Sequence, residues 1–424
     1  MSDNSNPDDG AGSFGADSLT ETTSRSWFDR IKGALIGVLV GLLLLVGGVW
    51  LLAWNEGRAV HTARSLAEGS RLVLDVPAEA VAPANEGKLV HVSAPLVLRG
   101  SLADAEFGLR VEGAVQLRRH VEMFQWREEQ HSETRSKLGG GQETVTTYSY
   151  SRGWADTQQD SSRFRQPGGH ANPPMRFRSQ VEVAREAQLG GFRLDQGLLQ
   201  QLGEFQPLPA NAVPARAGAQ RMEAGLYLGE DPGAPRLGDM RVTWSVARVA
   251  AASVVGQQVG NGFRPYQTRA GDALLLVANG QVSASAMIHQ AEEENALLSW
   301  ILRGVGTVLI FISGLMLLRP IVVLADIVPI FGSIMGFGTG LVALLLTVVV
   351  APLTIALAWL WFRPLVGVAV LLLGGGLIYG VGRLMRRHHQ PVAPAGNWAP
   401  VPQQAPQGGQ RSSFFPPGWQ PPPR

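Results

Sequence analysis

Residues Gly33 to Trp54 form a run of 22 residues without a single charge. As a helix rising about 1.5 Å per residue, this run covers roughly 33 Å, enough to cross a hydrocarbon layer of about 30 Å. It reads as an uncleaved anchor and not as a signal peptide. It exceeds an apolar core of about 7–15 residues, and Trp54, Asn55, Glu56 and Arg58 follow it in place of a small-x-small cleavage site. Trp27 before it, and Trp50 and Trp54 at its end, suit an aromatic belt.

Three more apolar runs cluster near the other end of the 424-residue chain: Leu297–Leu318, Gly338–Phe362 with Pro352 inside it, and Leu365–Val381. Ile321–Phe337 is also apolar, but Asp326, Pro329 and Gly332 interrupt it. It is expected to be re-entrant or interfacial and not a fifth span. Arg383, Arg386 and Arg387 follow the last run, so that end is expected in the cytoplasm. Four spans then put both termini there and leave the large region between the first two spans in the periplasm or a lumen. The expected organisation is a disordered acidic tail over 1–26, a first span over 27–54, a β-rich domain over 55–296, a membrane bundle over 297–382, and a basic, then proline-rich disordered tail over 383–424. The fold class is α+β: one N-terminal and three C-terminal membrane helices enclosing an antiparallel β domain.

Within the large region, strand signals dominate. Lys88–Leu98 is rich in Val and Leu, and Thr144–Tyr150 is β-branched and aromatic. Arg241–Val246 alternates, with Val242, Trp244 and Val246 on one face. Asp272–Ala278 and Gln281–Ile288 flank Asn279-Gly280, which predicts a hairpin. Residues 131–162 are polar, contain three consecutive glycines, and read as a long exposed hairpin or loop. Asn55–Val73 is expected to continue the first membrane helix, and Asp195–Leu202 to form a short helix. Residues 1–24 hold five acids and no base, and 391–424 hold ten prolines, so neither tail can offset its ordering entropy. The proline tail suits a solubilising role better than a PPII-reading partner.

The absence of cysteine rules out disulfides, thiolate metal sites and a Cys nucleophile. A net charge of +2 argues against nucleic-acid binding through bulk charge. There is no nucleophile elbow, Walker loop or HExxH, and the histidines are scattered, so nothing calls for a metal or another cofactor. Glycine spacing is more informative. Gly33, Gly37 and Gly41 recur every four residues, as do Gly332, Gly336 and Gly340. Small residues on one face let helix backbones approach in lipid. They serve either packing within the chain or self-association. Arg303, Arg319, Asp326 and Arg363 are charges at membrane depth. Arg319 and Arg363 are expected to snorkel to opposite interfaces. Asp326 is expected to cap a helix or pair with Arg319, or else to form a cation or proton site.

The stretch from Ser26-Trp27 to Trp54-Asn55-Glu56-Gly57-Arg58, followed by Glu86-Gly87-Lys88, Arg119-His120-Val121-Glu122-Met123-Phe124-Gln125-Trp126, Asn172-Pro173, Gly238-Asp239, Pro265-Tyr266, Trp300-x-x-Arg303 and Trp359-Leu360-x-x-Arg363-Pro364, resembles the transmembrane protein 43 (LUMA) family over roughly residues 25 to 385. The resemblance implies one N-terminal span, a large luminal or periplasmic domain and a C-terminal cluster of spans. Its eukaryotic members sit in the endoplasmic reticulum and inner nuclear membrane, self-associate and bind nuclear-envelope proteins. It supplies no catalytic residue. The tails depart from the family, and the composition looks bacterial, which points to an inner membrane and removes lamina partners. The leading expectation is a non-enzymatic membrane scaffold in contact with lipids, with further copies of itself and with other membrane proteins. The alternative is a channel or transport component built on Asp326 and its broken segment. An enzyme using His91, Asp104, Glu122, His170 or Asp239 is the weakest reading.

Overall fold

The computed structural model describes residues 18–383 except 328, 366, 367, 370, 371, 373, 377, 378, 381 and 382. Three long helices carry the apolar runs: α1 over Trp27–Leu72, α3 over Ala284–Ala325 and α4 over Pro329–Phe362; α2 is the short Gln196–Leu199. Ser26 caps α1, its side chain accepting from the Asp29 N–H, and Ser283 caps α3 by accepting from Ala286. Pro329 opens α4, where a missing N–H breaks no helical bond. Among the described residues, these are the three helices long and apolar enough to cross a membrane. The expected third C-terminal span, Leu365–Val381, lies in part outside the described residues. Ile321–Phe337, expected to be re-entrant or interfacial, supplies the end of α3, a short break at Asp326 and the opening turns of α4.

The buried positions of α1 include Ala34, Gly37, Gly41, Gly48, Leu52, Asn55 and Ala59, a stripe with the three- and four-residue steps of a packed helix face. That stripe faces α3, running antiparallel. A Cβ at Gly48 would lie 3.0 Å from Ile310 and 3.2 Å from the Gly306 carbonyl; one at Gly41 would lie 3.0 Å from Met316 and 3.2 Å from the Ser313 carbonyl. In turn α4 packs on α3 where Gly314 meets Ala343.

The strands are β1 (18–25), β2 (74–75), β3 (89–98), β4 (101–104), β5 (109–112), β6 (116–136), β7 (142–155), β8 (180–183), β9 (186–189), β10 (192–195), β11 (205–207), β12 (220–222), β13 (225–228), β14 (240–247), β15 (251–259), β16 (262–264), β17 (266–267), β18 (273–274) and β19 (276–279). One sheet runs β1-β7-β6-β14-β13-β12, with β8 on β6 and β11 on β14. The other runs β10-β9-β3-β15-β16, with β2 on β3 and β19 on β15. All pairings are antiparallel except β2 with β3. Alternation in β14 buries Val242, Trp244 and Val246 as expected, against Phe107, Leu109, Val121 and Met123. A second core gathers Val90, Val92, Phe192, Leu198, Leu199 and Val254. Leu66 of α1 and Met287 and Ile288 of α3 join Leu89, Val255 and Leu274, so the domain sits on the near ends of the membrane helices.

Two expectations fail here. Gln281–Ile288 is not a hairpin strand, because the Ser283 cap starts α3 and Asn279 instead accepts from the Gly203 N–H. Residues 18–25 are not part of a structureless tail: Thr- and Ser-rich β1 pairs with β7 from Ser18↔Ser149 to Arg25↔Gln142. That pairing joins two segments that charge counting assigns to opposite sides of the membrane. Residues 18–25 belong to the same ribbon as the domain's own strands.

Candidate functional site

Polar side chains meet at both ends of the helix bundle. At the end nearest the domain, Glu56 of α1 is 1% exposed. Arg303 of α3 donates to it from Nε at 2.6 Å and Nη2 at 2.9 Å, and Trp359 Nε1 of α4 donates at 2.7 Å. One carboxylate therefore ties three helices together through charge-assisted bonds in a setting of low dielectric. Its neighbours complete a belt. Asn55 Nδ2 donates to the Ser299 carbonyl at 3.1 Å, while Arg58 donates to Asn295 Oδ1 and Ser299 Oγ, both at 2.9 Å. Residues 55, 56, 58 and 59 face 295, 299 and 303 because both helices repeat about every 3.6 residues. Trp50 stacks on Trp54, and exposed Trp300 lies under the Arg303 guanidinium, at the level expected for an interfacial belt.

At the far end, Asp326 fills the break between α3 and α4. Arg30 Nη2 donates to its Oδ2 at 2.5 Å, and Ser136 Oγ donates to the same oxygen at 2.9 Å. Arg30 Nη1 donates to the Gly140 carbonyl, Trp27 Nε1 to the Val323 carbonyl at 3.0 Å, and the Gly139 N–H to the Ile327 carbonyl at 3.1 Å. Gly140 has φ of 79° and lies against the Trp27 indole, so a side chain there is excluded twice, by backbone conformation and by space.

The turn between β6 and β7 thus touches the start of α1, although both strands arise from the domain at its other end. With 21 residues at roughly 3.3 Å each, β6 reaches about 70 Å, matching the length of a 46-residue helix. From Glu128 to Ser136, β6 pairs with β7 alone, and β1 also pairs with β7 alone. The resulting three-stranded ribbon carries Thr, Ser, Glu, Gln and Arg on both faces, and among the described residues both its edges are unpaired.

The expected site residues distribute unevenly. Gly41 and Gly332 lie at close contacts, Gly332 against the Asp326 carboxylate, while a Cβ at Gly37 would be in ordinary contact with Met316 at 3.9 Å. Gly336 is near Val322, while Gly33 and Gly340 face open space, so spacing alone overcounts the packing face. Arg303 holds buried Glu56, and buried Asp326 holds half-buried Arg30, each on another helix. Asp326 does not pair with Arg319, which is exposed; its partner is Arg30, 296 residues away. Arg363 is exposed where α4 ends. Sequence reasoning missed Glu56, Arg30 and Ser136 as partners. The signal available was that Glu56 and Arg30 are charges bordering the first apolar run.

The polar residues named for an enzyme have separate local duties. Asp104 holds Arg119 at 2.8 Å and Trp244 Nε1 at 2.9 Å inside the domain. His91 bonds Asp75 and the Val282 carbonyl, and His170 stacks on Tyr150. Glu122 lies opposite Arg241 in the sheet. Asp239 closes a turn at Gly238 and accepts from the Tyr227 hydroxyl at 2.7 Å. Burial, and then that bond, push the Tyr227 phenol above its ordinary range. Among the described residues, no three His, Asp or Glu are placed to hold a metal.

These features define a polytopic membrane protein in which apolar helices carry one large antiparallel β domain. The profile of the family described as Transmembrane protein 43 matches residues 123–364. Transmembrane protein 43 of Homo sapiens is 33% identical over 360 residues, covering 81% of this chain and 89% of that protein. The Rattus norvegicus protein is 32% identical over 360 residues, covering 82% and 90%. The Drosophila melanogaster homolog is 32% identical over 371 residues, covering 84% and 95%. The chain belongs to the transmembrane protein 43 family. No solved structure matches it.

Proposed function

We propose that the protein is a non-enzymatic membrane scaffold that self-associates and organises other membrane or envelope proteins. The observation that carries this reading is the polar ribbon beside the apolar bundle. A sheet edge with unpaired N–H and C=O groups is not tolerated in lipid, where each unsatisfied group costs several kcal/mol. Neighbouring copies that keep lipid off the ribbon resolve the conflict. In this reading the domain faces the periplasm of a bacterial inner membrane, and the Arg383-bearing end faces the cytoplasm.

The first test is direct extraction into polymer nanodiscs, with measurement of the mass of the complex and of what co-purifies. A homo-oligomer, with or without a reproducible partner protein, supports the reading; a folded monomer overturns it. Because the chain has no cysteine, Ser151→Cys and Ser412→Cys report compartments with an impermeant thiol reagent, and labelling of intact spheroplasts is expected at 151 alone.

The same ribbon favours a second reading, a channel or transport component. Non-helical backbone at membrane depth is accommodated where it lines a water-filled cavity, and Asp326 lies where the ribbon turn meets the bundle. Ion flux in liposomes that is lost in Asp326→Ala supports it, whereas no flux under any gradient removes it.

A further inference from the structure

Where α4 ends, Arg363 has no carboxylate partner among the described residues. Beside it lies a slot of about 420 Å³ lined by Val60, Ala63, Ala67, Phe362, Pro364 and Leu365, with Arg64 and Arg363 as its charges among the described residues. Helix side chains lean toward the helix N-terminus, so the Arg64 guanidinium points back toward the membrane. It donates to the Phe362 carbonyl at 3.2 Å, and the Phe362 ring in turn lies against Gly57. That contact fixes its height. Gly57 is three residues beyond Trp54, about 5 Å along the helix. The headgroup layer outside the hydrocarbon is itself about 5–8 Å deep, so two guanidiniums stand at the level of lipid phosphate. An adjoining pocket further out adds Arg71 and Arg269; its one carboxylate, Glu68, accepts from the Arg269 backbone N–H.

We propose that Arg64 and Arg363, with the apolar slot between them, bind the phosphodiester headgroup of an anionic glycerophospholipid. Charge complementarity selects the occupant. A zwitterionic lipid brings its own cation into a site already holding two, while an anionic one brings only the phosphate that planar guanidiniums grip through paired donors. Val60, Ala63 and Phe362 receive the glycerol and the first methylenes, and the chains continue down past exposed Trp361 into the hydrocarbon.

The test is native mass spectrometry of the full-length protein in detergent, titrated with phosphatidylglycerol and phosphatidylcholine of identical chains. At least a tenfold preference for phosphatidylglycerol is expected at the first site, and the Arg64→Gln/Arg363→Gln double variant should remove it. Leu365→Glu changes an exposed residue and should have the same effect by placing a carboxylate in the slot. Arg319→Gln, which removes the exposed arginine near the other end of the bundle, should leave the preference intact. Equal binding of the two lipids overturns the proposal. So does an equal loss in Arg319→Gln, which would mean diffuse charge, and so does glycerol 3-phosphate binding as tightly as the lipid, which would mean a free-phosphate site.

Discussion

The two ends of the helix bundle both bury a carboxylate, and they hold it with different parts of the molecule. At the domain end every donor to Glu56 comes from another membrane helix, Arg303 with two bonds and Trp359 with one. At the far end Asp326 takes one bond from the start of α1 and one from Ser136 at the ribbon turn. The first cluster is internal to the bundle and would persist if the ribbon left. In the second, the Arg30 bond also joins membrane helices, while the Ser136, Gly139 and Gly140 contacts exist only while the ribbon is docked. Glu56 therefore sets the stability of the membrane part, and Asp326 sets its coupling to the domain.

The largest effect is expected from Glu56→Gln. The change leaves the Arg303 guanidinium partly buried without its charge partner, which costs about 3–5 kcal/mol when one member of a buried pair is removed. Thermal unfolding in detergent, followed by loss of helical signal, checks it. Replacing both residues, Glu56→Gln with Arg303→Met, should recover more than half of the loss. If Glu56→Gln costs less than Asp326→Asn, the ranking of the two ends is reversed.

Next comes Gly48→Leu. A Cβ alone already meets Ile310 and the Gly306 carbonyl, so a leucine forces α1 and α3 apart at a cost of about 1–3 kcal/mol. Gly33→Leu faces open space and should change unfolding by less than about 0.5 kcal/mol. That pair separates packing within the chain from self-association. A Gly33 change that reduces oligomer mass without touching unfolding would assign the exposed end of the stripe to contacts between copies.

The contrast between the ends also explains what could be read in advance. Apolar length defines α1, and period-2 alternation defines β14, because both reflect burial of side chains close in sequence. Asp195 and the leucines after it gave α2 for the same reason: the cap bonds Leu198, three residues on. The polar clusters join residues 247 and 296 positions apart, and no local period encodes such a pairing. Arg30 borders the first apolar run, and nothing near it in sequence shows that Asp326 neutralises it. Residues 18–25 looked disordered because their composition is polar, yet β7 supplies the partner that composition cannot reveal. A hairpin or loop was legible within 131–162, but neither its reach over 116–155 nor its docking was, since Gly139 and Gly140 signal a turn and not what the turn touches.

Asp326→Asn should cost about 1–3 kcal/mol, and its signature is local. Hydrogen exchange at 136–142 should rise, because Ser136 and the Arg30–Gly140 bond lose their anchor, while exchange near Glu56 stays unchanged. Equal acceleration at both ends would mean that the clusters act as one unit, and the division of labour argued above would fail.

The smallest expected effect, Trp27→Phe, tests whether the far end depends on charge or on shape. Phenylalanine keeps an aromatic ring beside Gly140 and removes the Nε1 bond to Val323, worth about 1 kcal/mol. The ribbon should remain docked, with exchange at 136–142 raised less than in Asp326→Asn. Gly140→Ala is the complementary change. It keeps the indole bond but places a methyl group against the ring, at a backbone conformation that L-residues rarely adopt. Stronger undocking by Gly140→Ala than by Trp27→Phe would show that the turn is held by close fit against the helix, with the indole hydrogen bond secondary to it.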